Sequence, residues 1–127
     1  MTTPLQLVKE FHEKFSHPID IPLDNDYMKL RYTLIKEEWN ELNPEIWQSM
    51  QEGKLTLNLA KELADLVYVI YGLAVTFGID LDEAVKRVHE SNMSKLGEDG
   101  KSVVREDGKI LKGPNYKPPS MNGVYNV

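Results

Sequence analysis

The sequence predicts an all-α protein, a bundle of four or five helices with an irregular C-terminal extension. Two observations carry this. Apolar residues recur at helical spacing in separate stretches of the first three quarters of the chain, and helix-starting and helix-stopping residues bracket those stretches. The last part, about 98–127, is instead rich in Gly, Pro, Lys and Asn.

Thr3 is placed to cap a first helix with Pro4 at its first position, and Leu5, Val8, Phe11 and Phe15 follow on one face. Residues 16–26 hold Pro18 and Pro22 and read as a loop. A second helix is expected over about 27–42. Asn43-Pro44 should end it, because proline disfavours the helical conformation of the residue before it. Pro44 would then open a short helix stopping near Gly53. A third, long helix is expected over about 56–77, closed by Gly78. Asp80 and Glu83 resemble a capping box for a fourth helix, which carries Leu81, Ala84, Val85, Val88 and Met93 and ends at Gly97. Ser102-Val103-Val104 can pair as a hairpin across Asp107-Gly108. The whole reads as one domain, 1–127, with a helical core over about 4–97 and a basic extension over 98–127.

Of the 127 residues, 41% are hydrophobic and 28% charged, an ordinary globular composition that excludes disordered and collagen-like chains. Cysteine is absent, so disulfides and thiolate metal sites are excluded and a cytoplasmic location is expected. Met1-Thr2-Thr3-Pro4 carries no basic apolar leader, and the apolar run 66–77 is short of the ~20 residues a membrane span needs. No membrane partner is expected. A net charge of −5 argues against coating a nucleic acid polymer. An acidic chain still binds a single nucleotide when metal ions sit between them.

The chemistry concentrates in helices two and three. From Leu63 to Phe77 the chain reads LADLVYVIYGLAVTF, and Asp65 is its one charged residue. Glu62 lies one turn before Asp65 on the same side, at the edge of a broad apolar arc. Two carboxylates against apolar neighbours are costly, and they repel each other; a divalent cation relieves both costs. On helix two, Glu37, Glu38 and Glu41 share one ~100° arc, with Glu41 between the others. Packed antiparallel, the helices would set Glu38 and Glu41 opposite Glu62 and Asp65. Four carboxylates suit Mg²⁺, with Mn²⁺ the alternative. Against this stands the ordinary reading of solvated glutamates paired with Arg31, Lys36 or Lys61. A di-iron bundle site needs Glu-x-x-His, which is absent. His12, His17 and His89 read as surface or capping residues, and Trp39 and Trp47 as core or interface.

The pattern Glu38-x-x-Glu41 followed by Glu62-x-x-Asp65 resembles the signature of the all-α nucleoside triphosphate pyrophosphohydrolases, the superfamily of MazG, the dimeric dUTPases and phosphoribosyl-ATP pyrophosphohydrolase. LIKEEWNEL (34–42) and KELADLVYVIYGLAVTFGID (61–80) look like its two metal-bearing helices. VHESNMSKL (88–96) and DGKILKGPNYKPP (107–119) look like its MazG-like, phosphoribosyl-ATP pyrophosphohydrolase-like subgroup. The resemblance implies Mg²⁺ held by Glu38, Glu41, Glu62 and Asp65, and Glu37 orienting or deprotonating the attacking water. It implies Asn92 and Lys95 on substrate phosphates, and a homodimer or homotetramer.

The chain is acidic first and basic later, and lysines after the acidic motifs suit leftover phosphate oxygens. Lys109 and Lys112 are candidates for this, with Asn115 a further substrate contact and Tyr116 a stacking surface for base or sugar. The expected activity is Mg²⁺-dependent hydrolysis of a (deoxy)nucleoside triphosphate to the monophosphate and pyrophosphate. Two alternatives are hydrolysis of phosphoribosyl-ATP in histidine biosynthesis and a non-catalytic helical module for binding a partner. The sequence holds no base-specific motif.

Overall fold

A computed structural model describes residues 1–126. Its elements are α1 (Pro4–Lys14), α2 (Asn25–Glu52), α3 (Leu59–Phe77), α4 (Leu81–Met93), β1 (Val103–Val104) and β2 (Ile110–Leu111). The chain divides into two compact units, residues 1–80 with Asn126, and Leu81–Tyr125. Among the described residues the fold is all-α apart from one two-stranded hairpin.

In the first unit α2 packs along α3, and α1 packs on α3. The Thr3 cap forms as expected: its hydroxyl accepts from Gln6 N–H, and the Gln6 side chain accepts from Thr3 N–H, so two orphan donors are satisfied at once. Val8, Leu42, Tyr71, Ala74, Val75 and Phe77 form the buried core. The C-terminal half of α3 is buried on all sides, and its last carbonyls find partners in the preceding loop. Asp20 N–H donates to Val75 O at 3.0 Å and Ile21 N–H to Thr76 O at 2.9 Å. Gly78 closes the helix at φ 69°, a conformation that favours a residue without Cβ.

The expected break at Asn43-Pro44 is overturned. α2 runs unbroken from Asn25 to Glu52 with Pro44 inside it. Proline there removes one intrahelical donor, a loss that the packing of a long helix along α3 can outweigh. The separate short helix opening at Pro44 therefore does not exist; its residues are the last turns of α2. Gly53 ends them at φ 69°. α3 starts at Leu59 rather than 56, because Thr56 is used otherwise: its N–H donates to Ser49 Oγ and its hydroxyl to Glu45, both on α2. α4 stops at Met93 rather than 97, and Lys95 and Leu96 N–H continue with tighter bonds to Asn92 O and Met93 O.

In the second unit the hairpin pairs Val103 with Leu111 and Val104 with Ile110, as expected across Asp107-Gly108. The extension after it is tied down. The Arg87 guanidinium donates to Ser120 O at 3.1 Å and Asn122 O at 2.6 Å while pairing with Glu83. Ser91 Oγ donates to Lys117 O at 2.7 Å. Gly113 is required by crowding: a Cβ there would sit 2.6 Å from the carbonyl oxygens of Lys95 and Leu96. Among the described residues no helix is long and apolar enough to cross a membrane.

Candidate metal centre

Glu38 and Glu41 project from α2, and Glu62 and Asp65 from the first turns of α3. One oxygen from each of the four lies within 4.8 Å of the others. The i, i+3 spacing on each helix puts both members of a pair on the same side, and α2–α3 packing brings the two pairs together.

Glu62 is deeply set, its side chain 12% exposed. Glu38 is half-buried and Glu41 exposed. Burial, then the charges of Glu41, Asp65 and Glu62, push the Glu38 carboxyl above its usual range. Glu38 Oε2 and Glu62 Oε2 are buried without a hydrogen-bond partner. Buried acceptors are normally satisfied, so two orphaned carboxylate oxygens in one acidic cluster fit a cation held between them. Among the described residues the positive charge paired with the cluster is Lys61, whose Nζ lies 2.6 Å from Asp65 and 3.5 Å from Glu62. The Lys61 side chain is 64% exposed, and the hydrogen bond to Asp65 holds its pKa above the ordinary lysine value. All-oxygen ligands of this kind suit hard divalent ions.

Glu37 is exposed. Asn92, Lys95, Lys109, Lys112, Asn115 and Tyr116 all belong to the second unit, whereas the four clustered acids and Glu37 belong to the first. Of these six the structure brings the side chains of Lys112 and Tyr116 together, the ammonium lying 4.8 Å from the ring centroid, while Asn92 and Lys95 meet through a backbone hydrogen bond. Asn92, Lys109 and Asn115 are exposed and Lys95 half-buried.

His12 corrects the sequence reading. It is 1% exposed rather than a surface residue, and its Nδ1 bonds Pro18 O at 2.9 Å. Burial pushes its pKa below the ordinary histidine value, and the nearby Arg31 and His17 add to this against the Pro18 bond. Arg31 is 5% exposed, makes no ion pair among the described residues, and its Nε has no partner. The signal was present in the sequence: Arg31 lies on the same stripe of α2 as Leu34, Glu38 and Leu42, where a charge is out of place. Trp39 and Trp47 are not core residues; they are 48% and 60% exposed.

These features define a class: an all-helical protein with a four-carboxylate cluster, fit for a divalent cation, across its central helix pair. Comparison with known proteins gives the family. The phosphoribosyl-ATP pyrophosphohydrolase family model matches residues 8–92, and the chain belongs to that family. The chain is also 34% identical over 122 residues to the uncharacterized protein L479 of Acanthamoeba polyphaga mimivirus, an alignment covering 87% of this chain. It spans about half of that viral protein, 47% of its length. A crystal structure of a proposed NTP pyrophosphohydrolase from Exiguobacterium sp. 255-15 is similar at 25% identity and a TM-score of 0.43, over 93% of this chain and 89% of that one.

Proposed function

We propose that this protein hydrolyses a (deoxy)nucleoside triphosphate to the monophosphate and pyrophosphate with Mg²⁺ as cofactor. One observation carries the reading: four carboxylates converge within 4.8 Å, and two of their buried oxygens lack partners. Family membership supports a pyrophosphohydrolase chemistry. Glu38, Glu41, Glu62 and Asp65 would hold the ion. A divalent ion held there would supply positive charge for the triphosphate and lower the pKa of a bound water. Glu37 lies ~100° around α2 from Glu38, which would put its carboxylate at the rim of the cluster, where it would orient the attacking water and accept its proton. Asn92, Lys95, Lys109, Lys112, Asn115 and Tyr116 are the proposed substrate contacts. In solution the protein would work as a homodimer or homotetramer, in the cytoplasm.

The test is a nucleotide panel with pyrophosphate detection, with and without Mg²⁺. Metal-dependent release of pyrophosphate and a monophosphate supports the reading. Release of orthophosphate and a diphosphate, with no pyrophosphatase present, overturns it. Phosphoribosyl-ATP belongs in the panel because the matching family is described by that substrate. A non-catalytic module would show no metal-linked gain in melting temperature.

A further inference from the structure

Two helical turns from the acidic cluster, on the same side of the α2–α3 pair, lies a second polar group that the metal chemistry leaves unused. Arg31 precedes Glu38 by seven residues and Gly72 follows Asp65 by seven, so both sit ~10 Å along their helices from the carboxylates. There the Arg31 guanidinium packs against Gly72, and a Cβ on Gly72 would lie 2.6 Å from Arg31 Nη1. Arg31 Nη2 meets His17 Nδ1 at a long 3.4 Å. A guanidinium is costly to bury without an acceptor for each donor, yet Nε has none and no carboxylate pairs with this side chain among the described residues.

The group is not sealed in the core. It lines a cavity of about 180 Å³ together with Phe11, His12, His17, Tyr68 and Gly72. Phe11 and Tyr68 stand edge to face at 5.8 Å, and both are partly exposed, Phe11 38% and Tyr68 41%. The cavity therefore offers aromatic walls and the side of a buried guanidinium that no carboxylate among the described residues neutralises. An apolar cavity of roughly 150 Å³ holds one benzene molecule. By that measure the space matches a single six-membered ring better than a fused pair.

We infer that this cavity receives the base of the nucleotide, that the base is a pyrimidine, and that Arg31 donates to one of its ring carbonyl oxygens. The inference rests on the hydrolysis proposed above and names its substrate class. A six-membered ring with a carbonyl acceptor fits both the volume and the guanidinium that lines it. Its distance from the carboxylates leaves the span between for sugar and phosphates. Adenine has two fused rings and no carbonyl, so it satisfies neither; guanine has the carbonyl but not the size.

Two measurements test this. The first needs no metal and no turnover. Ring-proton NMR of His17 and Tyr68 in the wild-type protein is followed while dCMP, dTMP, dAMP and dGMP are titrated in separately. Saturable shifts with the pyrimidine nucleotides and none with the purine nucleotides are expected. Equal shifts with all four, or none with any, overturn the inference. The second is kcat/KM for the four deoxynucleoside triphosphates in wild type and Arg31→Met. Wild type should favour pyrimidines by more than about tenfold, and Arg31→Met should lose about 10- to 100-fold on pyrimidines only, the worth of a hydrogen bond to a charged group. A purely structural Arg31 would lower stability and leave the pyrimidine-to-purine ratio unchanged, which overturns the inference. If Arg31→Met does not fold, the wild-type ratio and the titration decide. If no triphosphate is hydrolysed while the pyrimidine titration succeeds, hydrolysis falls and the base pocket stands.

Discussion

Glu38 illustrates how one residue can carry opposite free energies in the free and the metal-bound protein. Its carboxyl is raised by burial and by three neighbouring acids. Near neutral pH the folded metal-free protein therefore pays for a charge that the unfolded chain holds in water. Glu38→Gln should raise the metal-free melting temperature at pH 7 and abolish the further rise on adding Mg²⁺; a variant that still gains from Mg²⁺ would remove Glu38 from the ligand set. Glu37→Gln should behave differently. It keeps shape and a hydrogen bond but loses the base, so kcat should fall by about 10²–10⁴-fold with metal affinity unchanged. Isothermal titration of Mg²⁺ beside steady-state kinetics separates a base from a ligand and from a bystander. His12 gives a pH prediction of the other sign to Glu38. Its folded pKa lies below the model-peptide value of 6.5, so its neutral form stabilises the fold above that pH and this contribution is lost as pH falls through the folded value. Melting temperatures from pH 7 to 5 should fall more steeply in wild type than in His12→Asn, and equal slopes would contradict the burial cost. At this scale the acidic quartet was legible because i, i+3 pairs on two helices are a local pattern. Arg31 was not read as buried although it shares the stripe of Leu34 and Leu42, because a charge there finds its neighbours, such as His17 in the loop before α2, only through long-range packing.

Among the elements, α2 is where local rules and tertiary packing disagree. Asn43-Pro44 is a strong local stop, yet the helix passes through it. The start of α1 and the end of α3 were legible, because Thr3-Pro4 and Gly78 act through their own backbone conformations. The interior proline was misread because its cost is local while its compensation comes from α3. If Pro44 is tolerated rather than required, Pro44→Ala restores one N–H donor and should stabilise the protein by about 1–3 kcal/mol in urea unfolding. A loss of stability would show that the proline sets a bend on which the α2–α3 fit depends. The same packing explains Thr56, which reads as a helix start but is drawn to Ser49 and Glu45 of α2 instead.

For the whole molecule, the first unit leaves much apolar surface uncovered. Leu63, Val67, Tyr68 and Ile70 on α3 are 47%, 48%, 41% and 38% exposed, and Trp39 and Trp47 on α2 more so or equally. Apolar exposure on this scale marks association surfaces. Light scattering at micromolar concentration should report a dimer or tetramer, and Val67→Glu with Leu63→Glu should shift it toward monomer; an active wild-type monomer would contradict this. The all-α class was legible from periodicity and punctuation. How the chain groups into compact units was not, because α4 lies with the C-terminal segment through contacts such as Arg87 to Ser120 and Asn122, more than 30 residues apart, which no local pattern encodes.

The Lys61 ammonium on Asp65 and Glu62 has one more consequence. It is a cation tethered to its own binding site, so it is present there at an effective concentration set by the chain and not by the buffer. A metal ion entering the quartet must outcompete it, which makes Lys61 an intramolecular competitor of the cofactor. Lys61→Met would remove the competitor while leaving all four carboxylates in place. Half-saturation of the Mg²⁺-induced melting shift should then come at lower Mg²⁺ than in wild type. An unchanged or higher midpoint would mean the lysine side chain swings clear at no cost, or assists the ion instead of opposing it.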